Sequence, residues 1–256
     1  MLKEIVISIQ SYLKAHRFIS EHKLWRWILI PGLVYAILFA TGMYYFGKSA
    51  NGFIEYVTSL LGIQDFVGRF EDSWIGFFFT FSALVMWMIL MFFYFSLFKF
   101  FWLIVGSPVF AYLSEKTASI IEGRDFPFSM RQLLSDIARG IRVSLRNSFW
   151  QTFYTLGLLL LSLFPLIGWT TPILCILIEC YYYGFSMLDY TCERNGMNKE
   201  KSIDYISTHK GLAIGNGMVF YLMHLLPVIG WVLAPAYAVI AATISLHEMG
   251  DDQITT

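Results

Sequence analysis

Long apolar runs separated by short polar segments dominate this chain, and they predict an all-α protein built for a membrane. Residues 2–19 precede the first run and place their apolar side chains on one helical face: Leu2, Ile5, Val6, Ile9, Tyr12 and Leu13. A helix of this kind ahead of a membrane anchor is typical of one that lies along the bilayer surface. Residues 24–46 then predict the first span, which Pro31 and Gly32 are placed to kink.

The second span is predicted over 74–122, as a long helix with an extension beyond the membrane on the cytoplasmic side. Its apolar run, 74–105, would reach about 48 Å as a helix, more than the roughly 30 Å of a hydrocarbon core. Lys99 is the one charge within the run, and "GSP" at 106–108 is placed to bend the helix. The polar segment 47–73 is predicted to connect the two spans as a loop.

Two further apolar blocks, 150–188 and 212–247, are each broken in the middle by proline and glycine. The arms beside each break would form about 22–24 Å of helix, which is short for a crossing. We therefore predict two re-entrant hairpins that enter from the cytoplasmic side, with tips at Pro165, Gly168, Pro227 and Gly230. The two glycines are expected to take the positive φ of a tight reversal. Each block is also compatible with an ordinary pair of short spanning helices.

Lysine and arginine are unevenly distributed along the chain, and this distribution predicts the topology. Residues 1–26 hold five basic residues and 99–149 hold seven, whereas 47–73 holds two against four acids. By the positive-inside rule the N-terminus and the 99–149 region are cytoplasmic, and the 47–73 loop lies outside. Both interpretations of the two broken blocks return the C-terminus to the cytoplasm.

Composition and motifs exclude several functional classes. Only 14% of the 256 residues are charged and 57% are hydrophobic, whereas a soluble domain carries about a quarter charged residues. We therefore expect residues 1–256 to form a single membrane domain, and the zero net charge gives no indication of nucleic acid. The sequence holds no nucleophile elbow, zinc-protease motif, P-loop or CxxC pair. It therefore predicts no enzyme, no cofactor and no metal site.

Ionisable residues within or beside the apolar runs are the candidates for an anion pathway. They are Arg26, Glu115, Arg139, Arg142, Arg146, Glu179, Asp189 and Arg194. Glu179 lies well inside an arm, where a carboxyl group is either functional or a protonated, tyrosine-bonded element of packing. Arg26 is either an interfacial anchor or an anion ligand. Glu115 is placed to cap a network with Arg26 or with the arginines of 139–146.

The basic residues after the second span form a further candidate surface. Arg139, Arg142 and Arg146 share one helical face, which suits anionic lipid headgroups as well as it suits a substrate. Asp189 and Arg194 end an arm, where they are placed to pair with each other or with other segments.

Three segments carry a family resemblance: "SPVFAYLSEK" (107–116), "SMLDYTCERNGMNKEKSIDYISTHKGLAIGNG" (186–217) and "LLPVIGWVLAPAYAVIAATISLHE" (225–248). Their most specific parts are Asp189-Tyr190 with the downstream "HKGLAIG", and the final hairpin that ends in "AATISL". Through them the chain resembles, over nearly its whole length, the CysZ sulfate permease family and the related etoposide-induced membrane protein family.

The resemblance implies a multi-pass protein of the bacterial inner membrane that brings sulfate into the cytoplasm. It also implies two long transmembrane helices, two helix pairs that partly penetrate the bilayer, and assembly into homo-oligomers. Its anion site is expected at a basic pair that starts the first span and at an acidic run after the second helix. Here Trp25 and Arg26 stand at the basic pair, and the acidic run is represented by Glu115.

Two functions are therefore open. The first is a permease for sulfate or a related small anion, surrounded by membrane lipid and working without nucleotide hydrolysis. The alternative is a non-transporting scaffold or bilayer-shaping module of the same superfamily, because half-inserted hairpins occupy one leaflet more than the other.

Overall fold

The computed structural model describes residues 1–60, 62, 74, 87, 91, 94–123, 130–161 and 170–254. All regular secondary structure within these residues is helical, which confirms the predicted all-α class. In chain order the helices are α1 (Leu2–Glu21), α2 (Trp25–Leu60), α3 (Tyr94–Val105), α4 (Ser107–Glu122), α5 (Met130–Leu161), α6 (Thr171–Arg194), α7 (Lys199–Thr208), α8 (Lys210–His224) and α9 (Ile229–Ile254).

Three of the described helices are long and apolar enough to cross a membrane: α2, α6 and the Ile229–Gly250 part of α9. Helices α3 and α4 pass the same test as a pair that is bent by 65°, so the described part of the chain holds up to four candidate spans. The bend lies at Gly106, where the "GSP" segment predicts it. Pro108 stands in the first turn of α4, where a missing N–H costs no helical hydrogen bond.

The contacts between Cα atoms divide the chain into two units. The larger unit combines Met1–Ala36 with Phe100–Thr256, and the smaller unit is Ile37–Lys99. Within the smaller unit the Tyr94 hydroxyl donates to the carbonyl oxygen of Phe39 over 2.7 Å. The prediction of one membrane domain over 1–256 stays a prediction.

Two helices form the centre of the larger unit. Residues 182–192 of α6 and residues 234–246 of α9 are buried without interruption. Helix α6 packs against α4, α5, α7, α8 and α9, and α9 also packs against α1, α4 and α8. A helix whose side chains are apolar on every side is surrounded either by protein or by lipid. In these stretches the surroundings are other helices of the same chain.

Glycines allow α8 to lie very close to α6. A Cβ atom at Gly184 would collide with the carbonyl oxygen of Ala213, and one at Gly217 would collide with that of Cys180. Helix backbones that approach this closely bring small residues into direct contact, which is common where helices pack in membranes. The "HKGLAIG" segment of the family resemblance therefore includes part of the surface on which α6 rests.

Helix α1 packs through a face of small and larger residues and leaves most of its predicted apolar face exposed. Ser8, Ser11, Tyr12, Ala15 and Ile19 are buried. The Tyr12 side chain belongs to the predicted apolar face, but its hydroxyl reaches inward and donates to the carbonyl oxygen of Asn216. The rest of the predicted face is exposed at four positions: Leu2, Val6, Ile9 and Leu13.

Helix α2 is longer than the predicted first span. It continues beyond Phe46 to Leu60, so residues 47–60 of the predicted loop are helical. Phe53, Ile54 and Leu60 preserve the spacing of an apolar helical face, which explains the continuation. The position of the membrane boundary near Phe46 stays a prediction. Most of the predicted second span before Tyr94 lies outside the described residues, as does the tip of the first hairpin with Pro165 and Gly168.

Candidate functional site

A row of buried polar contacts, which we call the polar ladder, joins α5 to the antiparallel helix α6. On α5 the contributing residues are Arg139, Asn147 and Gln151, and their partners on α6 are Asp189, Ser186 and Glu179. Successive α5 residues of the ladder are eight and four positions apart, so they lie on one side of the helix. The ladder has an ionic contact at one end, an amide–hydroxyl contact in the middle and an amide–carboxylate contact at the other end.

The ionic end is a two-point contact between a guanidinium and a carboxylate. The Nη2 and Nε atoms of Arg139 donate to the two Asp189 carboxylate oxygens over 2.9 and 3.4 Å. The Ser202 hydroxyl of α7 also donates to Asp189, and the Nη1 atom of Arg139 donates to the carbonyl oxygen of Met197 over 2.5 Å. Burial disfavours the charged guanidinium, but the hydrogen bond and charge of Asp189, with the charge of Glu193, raise the pKa of Arg139.

Next to the middle of the ladder lies Arg146, which has no acidic partner among the described residues. The Asn147 amide donates to the Ser186 hydroxyl over 3.1 Å, and Ser186 donates to the carbonyl oxygen of Tyr182. The Arg146 Nη1 atom donates to the Asn147 carboxamide oxygen over 3.0 Å, and its guanidinium lies 5.6 Å from the centre of the Phe185 ring. Among the described residues, no carboxylate lies within 4 Å of the half-buried Arg146.

The carboxylate end is organised around Glu179, which is 5% exposed. Its Oε1 atom accepts a hydrogen bond from the Gln151 amide, and its Oε2 atom accepts one from the Tyr221 hydroxyl of α8 over 2.6 Å. Both of these donors are neutral. Both carboxylate oxygens of Glu179 act as acceptors in these two contacts.

A second ion pair joins α4 to α6. The Arg194 Nη1 atom lies 3.1 Å from the Glu115 carboxylate, and its Nη2 atom donates to the carbonyl oxygen of Ala111 over 3.3 Å. Glu115 therefore contacts neither Arg26 nor the arginines of 139–146. Asp189 and Arg194 both pair with other segments instead of with each other.

The remaining basic candidates lie towards the outside. Arg26 is exposed at the start of α2 and forms no ion pair within the described residues. Arg142 is also exposed, and its Nε atom donates to the carbonyl oxygen of Ala138 on its own helix. The face shared by the three arginines of α5 is thus divided, with Arg139 turned inward against α6 and Arg142 turned outward.

The second hairpin reverses over residues 225–228, between α8 and α9. The positive φ falls on Val228, at 63°, and the expectation that Gly230 would take it is wrong. Gly230 lies in the first turn of α9, where a Cβ atom would collide with the carbonyl oxygen of Met223. Glycine is needed here because the two arms are so close to each other. Pro227 lies in the turn, as predicted.

The sequence analysis missed the neutral members of the polar ladder. Asn147 and Gln151 are four residues apart and almost fully buried in α5. Their spacing is the signal that was available, since it extends the series that starts at Arg139 in steps of four through Val143. Ser186 and Ser202 carry no comparable signal, because serine is common in both buried and exposed positions.

Comparison with known proteins assigns this chain to a family. The family described as "Sulfate transporter CysZ/Etoposide-induced protein 2.4" matches residues 11–235. A protein named "Sulfate transporter CysZ" from Pseudomonas fluorescens (strain Pf-5) is 24% identical over 153 residues, which are 59% of this chain and 61% of the relative. The protein of the same name from Pseudomonas aeruginosa (strain PAO1) is 28% identical over 150 residues, 58% of this chain and 61% of the relative. The matched part spans about three fifths of the length of these relatives.

Proposed function

Because the chain belongs to the sulfate transporter CysZ/etoposide-induced protein 2.4 family, we propose that it carries sulfate or a related small anion across the bacterial inner membrane. The family match over residues 11–235, with relatives named as sulfate transporters, is the observation that carries this proposal. Transport proceeds without nucleotide hydrolysis, and the protein acts as a permease instead of an enzyme.

The proposed architecture is two long transmembrane helices with two re-entrant hairpins. One arm of the second hairpin supports it, because α8 has 15 residues and reaches about 22 Å, less than the roughly 30 Å of a bilayer core. The other arm, α9, is longer than the predicted arm and long enough to cross. Its tip is apolar and largely exposed, with Leu225, Leu226, Val228 and Ile229 between 58% and 76% accessible. An uncharged tip of this kind suits a position inside the bilayer or against a second copy of the chain.

The proposed orientation places both termini in the cytoplasm. The exposed apolar residues of α1, which include Leu2, Val6 and Leu13, suit immersion in the cytoplasmic surface of the membrane. The N-terminal basic residues are then on the side that the positive-inside rule requires. The partners of the chain in this proposal are lipid, a small anion and further copies of itself.

Within this function, Arg146 is the proposed internal contact of the anion. A doubly charged oxyanion is best held by charged donors whose charge is not already neutralised. The guanidinium groups of Arg139 and Arg194 are held by carboxylates, so in this proposal they shape the pathway. Arg146 is half-buried beside the Asn147 carboxamide, and together they offer the oxyanion a cation and further amide donors. Arg26 is exposed and serves as a point of approach, whereas the exposed Arg142 lies outside the proposed pathway.

Flux of radiolabelled sulfate into liposomes that contain the purified protein tests the proposal. The Arg146→Ala change should lower the flux about tenfold or more, because a hydrogen bond to a charged group contributes about 1.5–3 kcal/mol. The matched control is Arg142→Ala, which removes an exposed arginine four residues away on the same helix and should leave the flux within about twofold. Arg146→Lys should restore part of the flux, since it keeps the charge and loses the planar fork.

Two results would overturn the proposal at different levels. Equal losses in the Arg146 and Arg142 variants would remove Arg146 from the pathway and leave transport in place. Wild-type flux no higher than that of empty vesicles, with the protein shown to be folded, would remove transport itself. A stoichiometric foreign partner recovered by cross-linking in native membranes would then support the scaffold function.

A further inference from the structure

An open groove of about 590 Å³ runs along α2 in the smaller unit. On α2 it is lined at its apolar part by Ala40, Met43 and Gly47, and across from them stand Met91 and Phe95. All the described residues that line the groove belong to Ile37–Lys99. Its volume lies in the range of pockets that hold a ligand, about 300–1,000 Å³.

One side of α2 is closed by Tyr94, whereas the side that faces the groove is open. The Tyr94 hydroxyl donates to the carbonyl oxygen of Phe39, and its ring centre lies 5.0 Å from that of Phe46. A Cβ atom at Gly42 would lie 2.6 Å from the Tyr94 hydroxyl oxygen. At Gly47, in contrast, a Cβ atom would have no atom of the described residues within 4 Å beyond its own helical turn. The groove is therefore free along the helix face that carries Gly47.

Polar side chains line the groove at one end of its length. Lys48 and Asn51 are exposed there, whereas Ala40 and Met43 line the other end. The eleven steps from Ala40 to Asn51 correspond to about 16 Å of helix. The groove is thus a narrow apolar strip with a cation and a carboxamide at one end.

The position of Lys48 along α2 agrees with the end of a hydrocarbon core. Residues 27–47 contain no charged side chain, and these 21 residues span about 31 Å as a helix, close to the roughly 30 Å of the core. Lys48 then stands at the level of the lipid headgroups. Since half of the core is about 15 Å deep, the groove has the length of one leaflet and its polar end towards the headgroups.

The charge at the polar end selects among lipids. Lys48 forms no ion pair within the described residues, and it is the one charged residue among those that line the groove. A headgroup with one net negative charge complements it, whereas a zwitterionic headgroup brings a cation of its own. An apolar helix from a second copy of the chain would offer Lys48 no counter-charge.

We propose that this groove binds one phospholipid with an anionic headgroup. One acyl chain lies along Ala40, Met43 and Gly47, and the phosphate contacts the Lys48 ammonium and the Asn51 amide. The bound lipid covers the open side of α2 and fills the space between α2 and Met91. The site rests on the predicted position of α2 in the membrane and is independent of sulfate transport.

Native mass spectrometry of the purified protein with added phosphatidylglycerol, and in parallel with phosphatidylcholine of the same acyl chains, tests the site. The wild type should retain at least one phosphatidylglycerol per chain in preference to phosphatidylcholine. Gly47→Phe should remove one retained lipid per chain, because the ring occupies the floor of the groove. Lys48→Gln should weaken the binding of phosphatidylglycerol about fivefold, and Lys48→Arg should preserve it.

Gly52→Phe is the matched control. Gly52 also lies in α2 and has open space around its Cβ position, but it does not line the groove, so this variant should bind lipid like the wild type. Both glycine variants should fold, since phenylalanine has a higher helix propensity than glycine. Equal lipid binding by the Gly47 and Gly52 variants, or equal retention of the two lipids by the wild type, would overturn the proposal. Loss of oligomers in Gly47→Phe with unchanged lipid binding would assign the groove to a second copy of the chain instead.

Discussion

The two ends of the polar ladder each hold a buried carboxyl group, but they use different donors. At one end the Asp189 carboxylate is neutralised by a guanidinium that contacts both of its oxygens, with Ser202 as a further donor. At the other end the Glu179 carboxylate is held by the neutral side chains of Gln151 and Tyr221. Both carboxylates are about 95% buried, so the difference lies in the donors and not in the burial.

This difference in donors should change how strongly each end responds to mutation. A buried ion pair loses a large free energy when one partner is removed, because an unpaired charge is left behind. A carboxylate bound by neutral donors depends on individual hydrogen bonds, each of which contributes less. The Arg139–Asp189 end should therefore behave as a structural clamp between α5 and α6. The Glu179 end should lose less stability when a single donor is removed.

The largest effect is expected from removing the cation of the clamp. Arg139→Met should destabilise the larger unit by about 3–5 kcal/mol, because Asp189 is then left buried with Ser202 as its remaining side-chain donor. Adding Asp189→Leu in the same chain should recover most of the loss, since an apolar pair replaces an ion pair at little cost. Thermal unfolding in detergent measures both. A double variant no more stable than Arg139→Met would show that the clamp is not the source of the loss.

An intermediate effect is expected when the same neutralising change is made at each end. Asp189→Asn should cost about 3 kcal/mol, because it leaves the Arg139 guanidinium partly uncompensated. Glu179→Gln should cost about 1 kcal/mol or less, since a carboxamide accepts from Gln151 and donates to the Tyr221 oxygen. The melting temperatures of the two variants, each compared with the wild type, measure the difference between the two ends of the ladder. Equal losses would contradict the distinction between the two ends.

The smallest effect separates two tyrosines on facing helices, the half-buried Tyr221 and the buried Tyr183. Tyr221→Phe removes a donor to Glu179 and should cost about 1.5 kcal/mol, the lower range for a hydrogen bond to a charged group. Tyr183 is buried in α6, and its hydroxyl has no hydrogen-bond partner among the described residues. Tyr183→Phe should therefore be neutral or stabilising. Both values come from thermal unfolding, and a larger loss for Tyr183→Phe would show that its hydroxyl has a partner in the membrane.

Local chemistry made part of this structure predictable. The reversal of the second hairpin follows from Pro227, which lacks the N–H that a continuing helix requires. The bend at Gly106 follows in the same way from the "GSP" segment. The charged members of the site were also recognisable, because charges within apolar runs are rare.

Partners across long sequence distances were not predictable in this way. Arg139 and Asp189 are 50 positions apart, and their contact depends on the register of α5 against α6. The choice of Val228 for the positive φ and of Gly230 for the close approach to Met223 depends on how α8 and α9 pack. Helical spacing places residues on a face, but it does not say which helix covers that face.

By itself, the sequence determined the helical class, the positions of breaks and the set of ionisable residues, because periodicity, proline and charge act locally. Only the tertiary structure decided what surrounds each apolar stretch. Residues 182–192 and 234–246 belong to helices that are apolar enough to cross a membrane, yet these stretches are enclosed by helices of the same chain. Hydropathy measures the transfer of a side chain out of water and is the same whether its new surroundings are lipid or protein.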